Sequence, residues 1–141
     1  MESKEAHLSA TSSWDVVQDS LKPFNAGNHE AALAYWADDA VVRLIGVPPD
    51  QPDTYEGKEQ LRGWLESLSA IHFEIQEELI KEEGDTVTVR ALSWSDPTRQ
   101  LGVAPLEATE VYVVKNGKIT SLTWTITSES LARLQAALSR S

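Results

Sequence analysis

Arg90 is the residue with the clearest chemical potential, because it interrupts an otherwise uncharged segment, TVTVRALSW. An arginine that faced the protein interior would need an anionic partner, since an unpaired buried charge is very costly. Its guanidinium could then hold a carboxylate or a polarised oxygen of a ligand through two parallel hydrogen bonds. The alternative is that Arg90 faces solvent and that Val87, Val89 and Ala91 face inward instead.

Two acidic residues near Arg90 could transfer protons. Asp96 could pair with Arg90 or act as a general base, although an Asp96-Pro97 step is also common turn chemistry. Glu107 lies on the following strand-like segment and shares a face with Thr109. Its carboxylate either reaches the interior or is solvated at the strand end. Arg90, Asp96 and Glu107 are therefore the candidate catalytic residues.

Other reaction types find no support in the sequence. The 141 residues include no cysteine, and the three histidines, His7, His29 and His72, show no spacing typical of metal ligands. A glycine-rich phosphate loop and a GxSxG motif are also absent. We expect no metal and no cofactor.

The net charge of −10 argues against two classes of partner. An acidic surface repels phosphate backbones and anionic lipid, so nucleic acid and membrane are not expected as partners. The sequence contains no run of 18 apolar residues, which is about the length needed to span a bilayer. The polar first residues lack the apolar core of a signal peptide, and we expect a cytoplasmic protein.

The elements that must position these residues follow from apolar periodicity. The helical period predicts helices at about 13–24, 28–37, 58–68 and 128–139, with Ser12 or Ser13 and Asn28 as N-caps. Alternation predicts strands at about 40–47, 72–82, 85–95, 105–115 and 118–127. Tight hairpins are expected at Glu83–Asp85 and at Lys115–Lys118.

Helices followed by strands indicate an α+β fold, with one long twisted sheet and three helices on its concave side. The length of the chain fits a single domain, which we place at residues 12–141. Residues 1–11 are predicted to be a disordered tail.

Three segments resemble a known family. Residues 25–41, NAGNHEAALAYWADDAV, are similar to the helix-turn-helix-strand opening of SnoaL-like and ketosteroid-isomerase-like proteins. Residues 54–65, TYEGKEQLRGWL, and residues 116–120, NGKIT, resemble two later signatures. The chain thus resembles the nuclear-transport-factor-2-like superfamily, which also includes limonene-epoxide hydrolases. The resemblance implies a cone-shaped, strongly bent, mixed or antiparallel sheet around three N-terminal helices, plus a C-terminal helix.

The catalytic residues of these relatives are mostly absent. In the alignment to ketosteroid isomerases, the oxyanion-hole tyrosine and the two aspartates fall at Ser20, Leu44 and Thr109. The epoxide-hydrolase positions fall at Val42, Leu44, Leu92, Arg90 and Trp124. Only the arginine is retained, so the known mechanisms of these families are not expected here.

The family's register implies that one set of side chains lines the cone. The candidate substrate-binding residues are Val42, Leu44, Tyr55, Trp64, Leu92, Trp94, Thr109, Val111 and Trp124. The alternative is that these side chains simply fill the core. The convex face would carry Val89, Ala91, Tyr112, Val114, Thr123 and Thr125, and the resemblance implies a homodimer through this face.

Two functions are therefore open. One is an isomerase, cyclase or hydrolase that acts on a small hydrophobic metabolite in an apolar, cone-shaped pocket. The other is a non-catalytic ligand-binding or dimeric assembly module that lacks the family's catalytic carboxylates.

Overall fold

A computed structural model of the chain describes residues 12–46 and 51–140. The predicted tail, residues 1–11, and the proline-containing stretch 47–50 lie outside the described residues. The helices are α1 (Ser13–Asn25), α2 (His29–Leu33), α3 (Gly57–Ala70), α4 (Asp96–Leu101) and α5 (Ser128–Arg140). The strands are β1 (Trp36–Ile45), β2 (Thr54–Glu56), β3 (Glu74–Glu83), β4 (Thr86–Trp94), β5 (Leu106–Lys115) and β6 (Lys118–Ile126).

The helix starts predicted from the sequence are confirmed. The Ser12 side chain accepts a hydrogen bond from the backbone N–H of Asp15, whose carboxylate accepts one from the Ser12 N–H in return. Asn28 caps α2 with a single bond, in which its side-chain oxygen accepts from the N–H of Ala31. Pro23 lies inside α1 and does not end it at once, since the helix continues for two more residues, to Asn25.

The sheet is mixed and open, with the strand order β2-β1-β6-β5-β4-β3. Neighbouring strands are antiparallel except β1 and β6, which are parallel. The predicted hairpin at Asn116-Gly117 is confirmed, and both residues have positive φ, 54° and 75°, as a two-residue turn of this hand requires.

Two elements differ from the prediction. Trp36 falls within the predicted helix 28–37, but α2 ends at Leu33 and Trp36 begins β1, where it pairs with Ile119. Asp96-Pro97 was expected as a turn, but it opens the short helix α4. Ser95 caps this helix, and Gly102 ends it in the left-handed conformation.

The fold is thus the predicted α+β cone, with the main core on one face of the sheet. α1, α2 and α3 cover this face, and their apolar side chains pack against it. The most buried of these core residues include Val17, Leu61, Val42, Val87, Val89 and Ile119, each fully removed from solvent. A second cluster around Ile126 joins the sheet to α5. We call the helix-covered face of the sheet the inner face, and the opposite one the outer face.

Candidate ligand-binding site

Alternate side chains of β1 and β6 form the apolar floor of the site. Val42 pairs with Leu122, and Leu44 pairs with Trp124, so these four side chains share the inner face. Val42 and Leu122 are buried in the main core, whereas Leu44 and Trp124 are partly exposed. The inner face therefore changes from packed core to an open surface towards the ends of these strands.

A cavity of about 500 Å³ lies over that surface. The sheet supplies its floor, β2 and α3 supply one wall, and α4 and α5 supply the remaining sides. Most of its lining side chains are apolar or aromatic. The lining consists of Leu44, Gly46, Gln51, Pro52, Tyr55, Trp64, Ser67, Leu68, Ile71, Phe73, Ser93, Ser95, Pro97, Thr98, Leu106, Trp124, Ile126 and Leu134.

An aromatic stack forms the α3 wall. The ring of Tyr55 lies 5.7 Å from that of Trp64, and Trp64 meets Trp36 edge to face at 6.3 Å. Burial raises the pKa of the Tyr55 phenol. Tyr55 thus both packs against α3 and borders the cavity, as the substrate-binding prediction required of it.

Few polar groups face the cavity. The hydroxyls of Ser95 and Thr98 are 3.0 Å apart and already cap α4. Ser93 is buried on β4 and borders the cavity, so its hydroxyl is one of the few polar groups there.

Arg90 lies outside this cavity. Val87, Val89, Ala91 and Ser93 face inward on β4, so the register is the alternative that was considered for this strand, and Arg90 is on the outer face. There its Nε donates to Glu107 Oε2 at 3.0 Å and its Nη2 to Glu107 Oε1 at 3.3 Å.

The expected inward orientation is wrong for a whole set of candidate residues, since β4 and β5 both have the opposite register. Leu92, Trp94, Thr109, Val111 and Glu107 lie on the outer face with Arg90. Conversely, Val89, Ala91, Tyr112 and Val114, which were expected on the convex face, are buried on the inner face. The physical reason is that burying the uncharged set of β4 avoids enclosing a guanidinium.

Asp96 is at the rim rather than in the cavity. At the start of α4 its carboxylate lies 2.7 Å from His72 Nδ1 and 3.5 Å from Arg99 Nη1. Asp96 does not reach Arg90, whose ionic partners are Glu107 and Glu78.

The structure reveals an inward-facing acid that sequence reasoning missed. Glu110 on β5 is only 3% exposed, and its carboxyl group meets that of Glu77 on β3. The Tyr112 hydroxyl donates to Glu77 Oε2 at 2.5 Å and lies 3.4 Å from Glu110 Oε1. The signal was available, because burying Val87, Val89 and Ala91 also turns Glu110 inward through antiparallel pairing with β5.

Burial changes the acidity of these three groups. Desolvation, with the nearby Glu77 carboxylate, raises the pKa of Glu110 well above its usual range, and desolvation also raises the pKa of Glu77. The pKa of Tyr112 is raised by the same burial, so the phenol remains a hydrogen-bond donor. Glu110 and Tyr112 border a second cavity, of about 50 Å³, beneath α1.

The described residues offer neither a cluster of metal ligands nor a helix that could cross a membrane. Residues 12–46 and 51–140 contain no cluster of three or more His, Asp or Glu side chains that could hold a metal ion. Within those ranges, no helix has both the length and the apolar character needed to cross a membrane.

Solved structures share this architecture at low sequence identity. RV0760c from Mycobacterium tuberculosis, solved with estradiol-17beta-hemisuccinate, has a TM-score of 0.70 at 21% identity, covering 84% of this chain and 95% of that one. SalBIII, an epoxide hydrolase/cyclase-like enzyme with a role in pyran ring formation in the polyether salinomycin, has a TM-score of 0.66 at 20% identity. The match covers 84% of this chain and 92% of that one.

A computationally designed binder of 17-OHP has a TM-score of 0.68 at 19% identity, with 84% and 92% covered. Identities this low establish the fold and leave the chemistry open. None of the curated proteins matches the sequence significantly. The profile of the SnoaL-like domain, however, matches residues 17–122, which is most of the chain. The protein therefore belongs to the SnoaL-like domain family.

Proposed function

We propose that this chain binds one small, largely apolar molecule in the cavity above Leu44 and Trp124. The observation that carries the proposal is the cavity itself, of about 500 Å³. Ligand sites usually measure roughly 300–1,000 Å³ and combine an apolar lining with a few polar groups. The cavity is partly open to solvent, so a ligand can enter it.

The lining indicates what kind of molecule fits. Trp124, Trp64 and Tyr55 offer flat apolar surfaces to a ring system, and the Ser93 hydroxyl offers a hydrogen bond. No Lys, Arg or His borders the cavity among the described residues, so nothing there neutralises an anion. A neutral, mostly hydrocarbon ligand therefore suits it best.

Structures of the same fold support this ligand class. RV0760c was solved with estradiol-17beta-hemisuccinate and the designed protein binds 17-OHP, which supports the ring-shaped hydrocarbon body of the ligand but not its neutrality, whereas SalBIII is an enzyme. For this chain, binding is the better-supported function, because Arg90 and Glu107 are paired with each other on the outer face. We assign no catalytic step to Arg90, Asp96 or Glu107.

We retain a homodimer through the outer face as a proposal. The corrected register gives this face Leu92, Trp94, Val111 and Val113, which are only partly buried in the single chain. An apolar sheet face of this kind is typical of a surface that associates with a second copy. Sedimentation velocity over a range of concentrations tests it, and a monomer at all concentrations would contradict it.

Paired tryptophan variants test the binding proposal. Trp124 borders the cavity and Trp94 lies on the outer face, so Trp124→Ala and Trp94→Ala are matched substitutions. We expect wild type to bind 2-ethylnaphthalene and estradiol in calorimetric titrations. Trp124→Ala should weaken this binding by about tenfold, the usual effect of losing an aromatic contact.

Trp94→Ala should bind both probes like wild type. Two results would reject the proposal: neither probe binds wild type up to its solubility limit, or both variants weaken binding equally.

A further inference from the structure

A second space, of about 470 Å³, lies beside the proposed ligand cavity, and we call it the cleft. It is enclosed by the end of α1, the end of α3, the start of β3 and α4. Among the described residues, no charged side chain borders the large cavity, whereas the cleft combines aromatic rings with ionisable groups. These side chains are Phe24, Phe73, His72, Glu74, Asp96 and Arg99.

The same two segments separate the cleft from the large cavity. In the segment after α3, Ile71 borders the large cavity, His72 borders the cleft and Phe73 borders both. At the start of α4, Pro97 borders the large cavity and Asp96 borders the cleft. The two spaces therefore meet at the Phe73 ring, and a ligand that extends beyond the large cavity reaches the cleft there.

The backbone of His72 is in the left-handed conformation, with a φ of 54°. Its N–H and that of Phe73 donate to the carbonyls of Ser69 and Leu68, which closes the end of α3. Glycine is the usual residue at such a position, because it has no Cβ to strain the backbone. A histidine here indicates that its side chain has a use, since unusual backbone conformations are frequent at functional sites.

Asp96 holds the His72 imidazole in place. His72 Nδ1 lies 2.7 Å from Asp96 Oδ2. A carboxylate only accepts hydrogen bonds, so Nδ1 carries the proton, and Nε2 of the neutral ring is then an acceptor. The His72 side chain is 76% exposed, so a ligand in the cleft can reach Nε2.

Arg99 holds the second acceptor of the cleft. Its Nη2 donates to Glu74 Oε1 at 2.7 Å, which leaves Glu74 Oε2 for a further hydrogen bond. Arg99 Nη1 also donates to the His72 carbonyl at 3.4 Å. The Glu74 and His72 side chains are thus attached to one guanidinium and one carboxylate, each with an acceptor atom to spare.

The charges of the cleft favour an uncharged ligand group. The carboxylates of Glu74 and Asp96 outnumber the one guanidinium, so an anion is repelled, while Arg99 repels a cation. A hydroxyl group can donate to both spare acceptors without carrying a charge. Phe24 and Phe73 meet edge to face at 5.9 Å and offer apolar surface to the C–H groups of a hydroxylated ring.

We propose that the ligand carries a neutral end with several hydroxyl groups, such as a sugar or another polyol, and that this end lies in the cleft. This inference rests on the proposed function and makes it more specific. Hydroxyls of the ligand donate to His72 Nε2 and Glu74 Oε2, while its hydrocarbon body lies over Trp124. Asp96 and Arg99 are positioning residues, because they orient the imidazole and the carboxylate.

Three naphthalene probes test the proposed polar end. They are 2-ethylnaphthalene, 2-naphthyl glucoside and 2-naphthyl glucuronide, which end in a hydrocarbon, a neutral polyol and a polyol with a carboxylate. In calorimetric titrations of wild type, the glucoside should bind about tenfold more tightly than 2-ethylnaphthalene, as hydrogen bonds to a charged acceptor allow. The glucuronide should bind less tightly than the glucoside, because Glu74 and Asp96 repel its carboxylate.

The variant H72G/E74A removes both acceptors. Glycine keeps the left-handed turn after α3, so the imidazole is lost without added backbone strain. The glucoside should then bind no more tightly than 2-ethylnaphthalene, whose affinity should stay as in wild type. The control is E78A, because Glu78 is also on β3 but contacts Arg90 on the outer face, and this variant should keep the preference for the glucoside.

Trp124→Ala tests whether one ligand occupies both spaces. It should weaken the glucoside and 2-ethylnaphthalene by a similar factor, because both place their rings in the large cavity. If it weakens only 2-ethylnaphthalene, the sugar binds in the cleft alone and the proposal of one extended ligand is wrong.

The remaining outcomes separate this inference from the proposed function. A glucoside that binds wild type no more tightly than 2-ethylnaphthalene, or an advantage that H72G/E74A retains, overturns this inference alone. Loss of 2-ethylnaphthalene binding in H72G/E74A also overturns it, since the two residues would then support the cavity wall instead. If none of the three probes binds wild type, both proposals are wrong.

Discussion

Glu107 and Glu110 are three residues apart on the same strand, yet they lie in opposite environments. Glu107 is on the outer face, partly exposed, with its carboxylate held by the Arg90 guanidinium. Glu110 is on the inner face, 3% exposed, with a second carboxyl group and a phenol as neighbours. The same side chain is therefore a stabilised anion on one face and a proton-binding acid on the other.

The difference shows how this sheet separates its functions. The outer face neutralises charge with charge, which solvent tolerates at little cost. The inner face excludes cations among the described residues, so it can neutralise a carboxylate only with protons. The sheet itself contributes four polar side chains to the cone, namely Glu77, Glu110, Tyr112 and Ser93.

The largest expected effect comes from a matched pair of leucines. Leu122 is 3% exposed on the inner face, and Leu92 is partly exposed on the outer face. Leu122→Ala should lower the free energy of unfolding by about 2–5 kcal/mol, because it removes buried contacts and leaves a cavity. Chemical denaturation followed by tryptophan fluorescence measures the loss.

Leu92→Ala should cost less, roughly 1 kcal/mol or below, since its side chain keeps contact with water in the single chain. Equal losses of unfolding free energy at low protein concentration would contradict the assignment of Leu122 to the buried face and Leu92 to the exposed one. If the Leu92→Ala loss instead grows with concentration, it supports burial of the outer face between two copies.

The next effect is a difference in pH dependence between the two glutamates. Glu110 has a pKa in the folded protein above its ordinary value of 4.5. The folded state then binds more protons than the unfolded state, so its contribution to stability is full below about pH 4.5 and is lost as pH rises through the higher pKa. Glu77 and Tyr112 face Glu110, whereas α1, α2 and α3 bring no charged group to it.

Glu110→Gln should therefore flatten the fall in unfolding free energy above this pH, by at most about 1.4 kcal/mol per pH unit for one proton. Denaturation curves at a series of pH values give the slope. Glu107→Gln is the control and should keep the wild-type slope. Equal slopes in Glu110→Gln and wild type above pH 4.5 would show that the buried acid is already ionised there.

Local signals were sufficient to predict most elements of this fold. Ser12, Asn28 and Asn116-Gly117 act through bonds and φ values that depend only on neighbours in the sequence. Trp36 was placed wrongly because its position satisfies a helical period, while pairing with Ile119 decides its actual state. The parallel pairing of β1 and β6 has no local signal either, since these strands are far apart in sequence.

The site was harder to predict because alternation defines two faces without saying which is buried. On β4 a single choice of which alternate residues face inward moves Arg90, Leu92 and Trp94 together. Pairing carries the same choice to β5, so one mistaken register misplaced half of the candidate residues. The cost of burying Arg90 favours the correct choice. Glu110 carries the opposite signal, because a strand glutamate usually faces solvent. Strand pairing with Val89 turns Glu110 inward, and its contacts with Glu77 and Tyr112 give the buried carboxyl group polar partners.

The smallest expected effect is that of Arg90, the residue with the most prominent chemistry in the sequence. Its side chain is 43% exposed, and its bonds to Glu107 and Glu78 lie on the outer face. Arg90→Ala should change the melting temperature only slightly, and added salt should reduce the difference further, because exposed ion pairs are screened. Binding of 2-ethylnaphthalene should stay at the wild-type affinity. A large loss of binding would indicate that the guanidinium contacts the ligand. It would also reverse the assignment of the two faces, because β4 cannot turn Arg90 inward without turning Val89 and Ala91 outward.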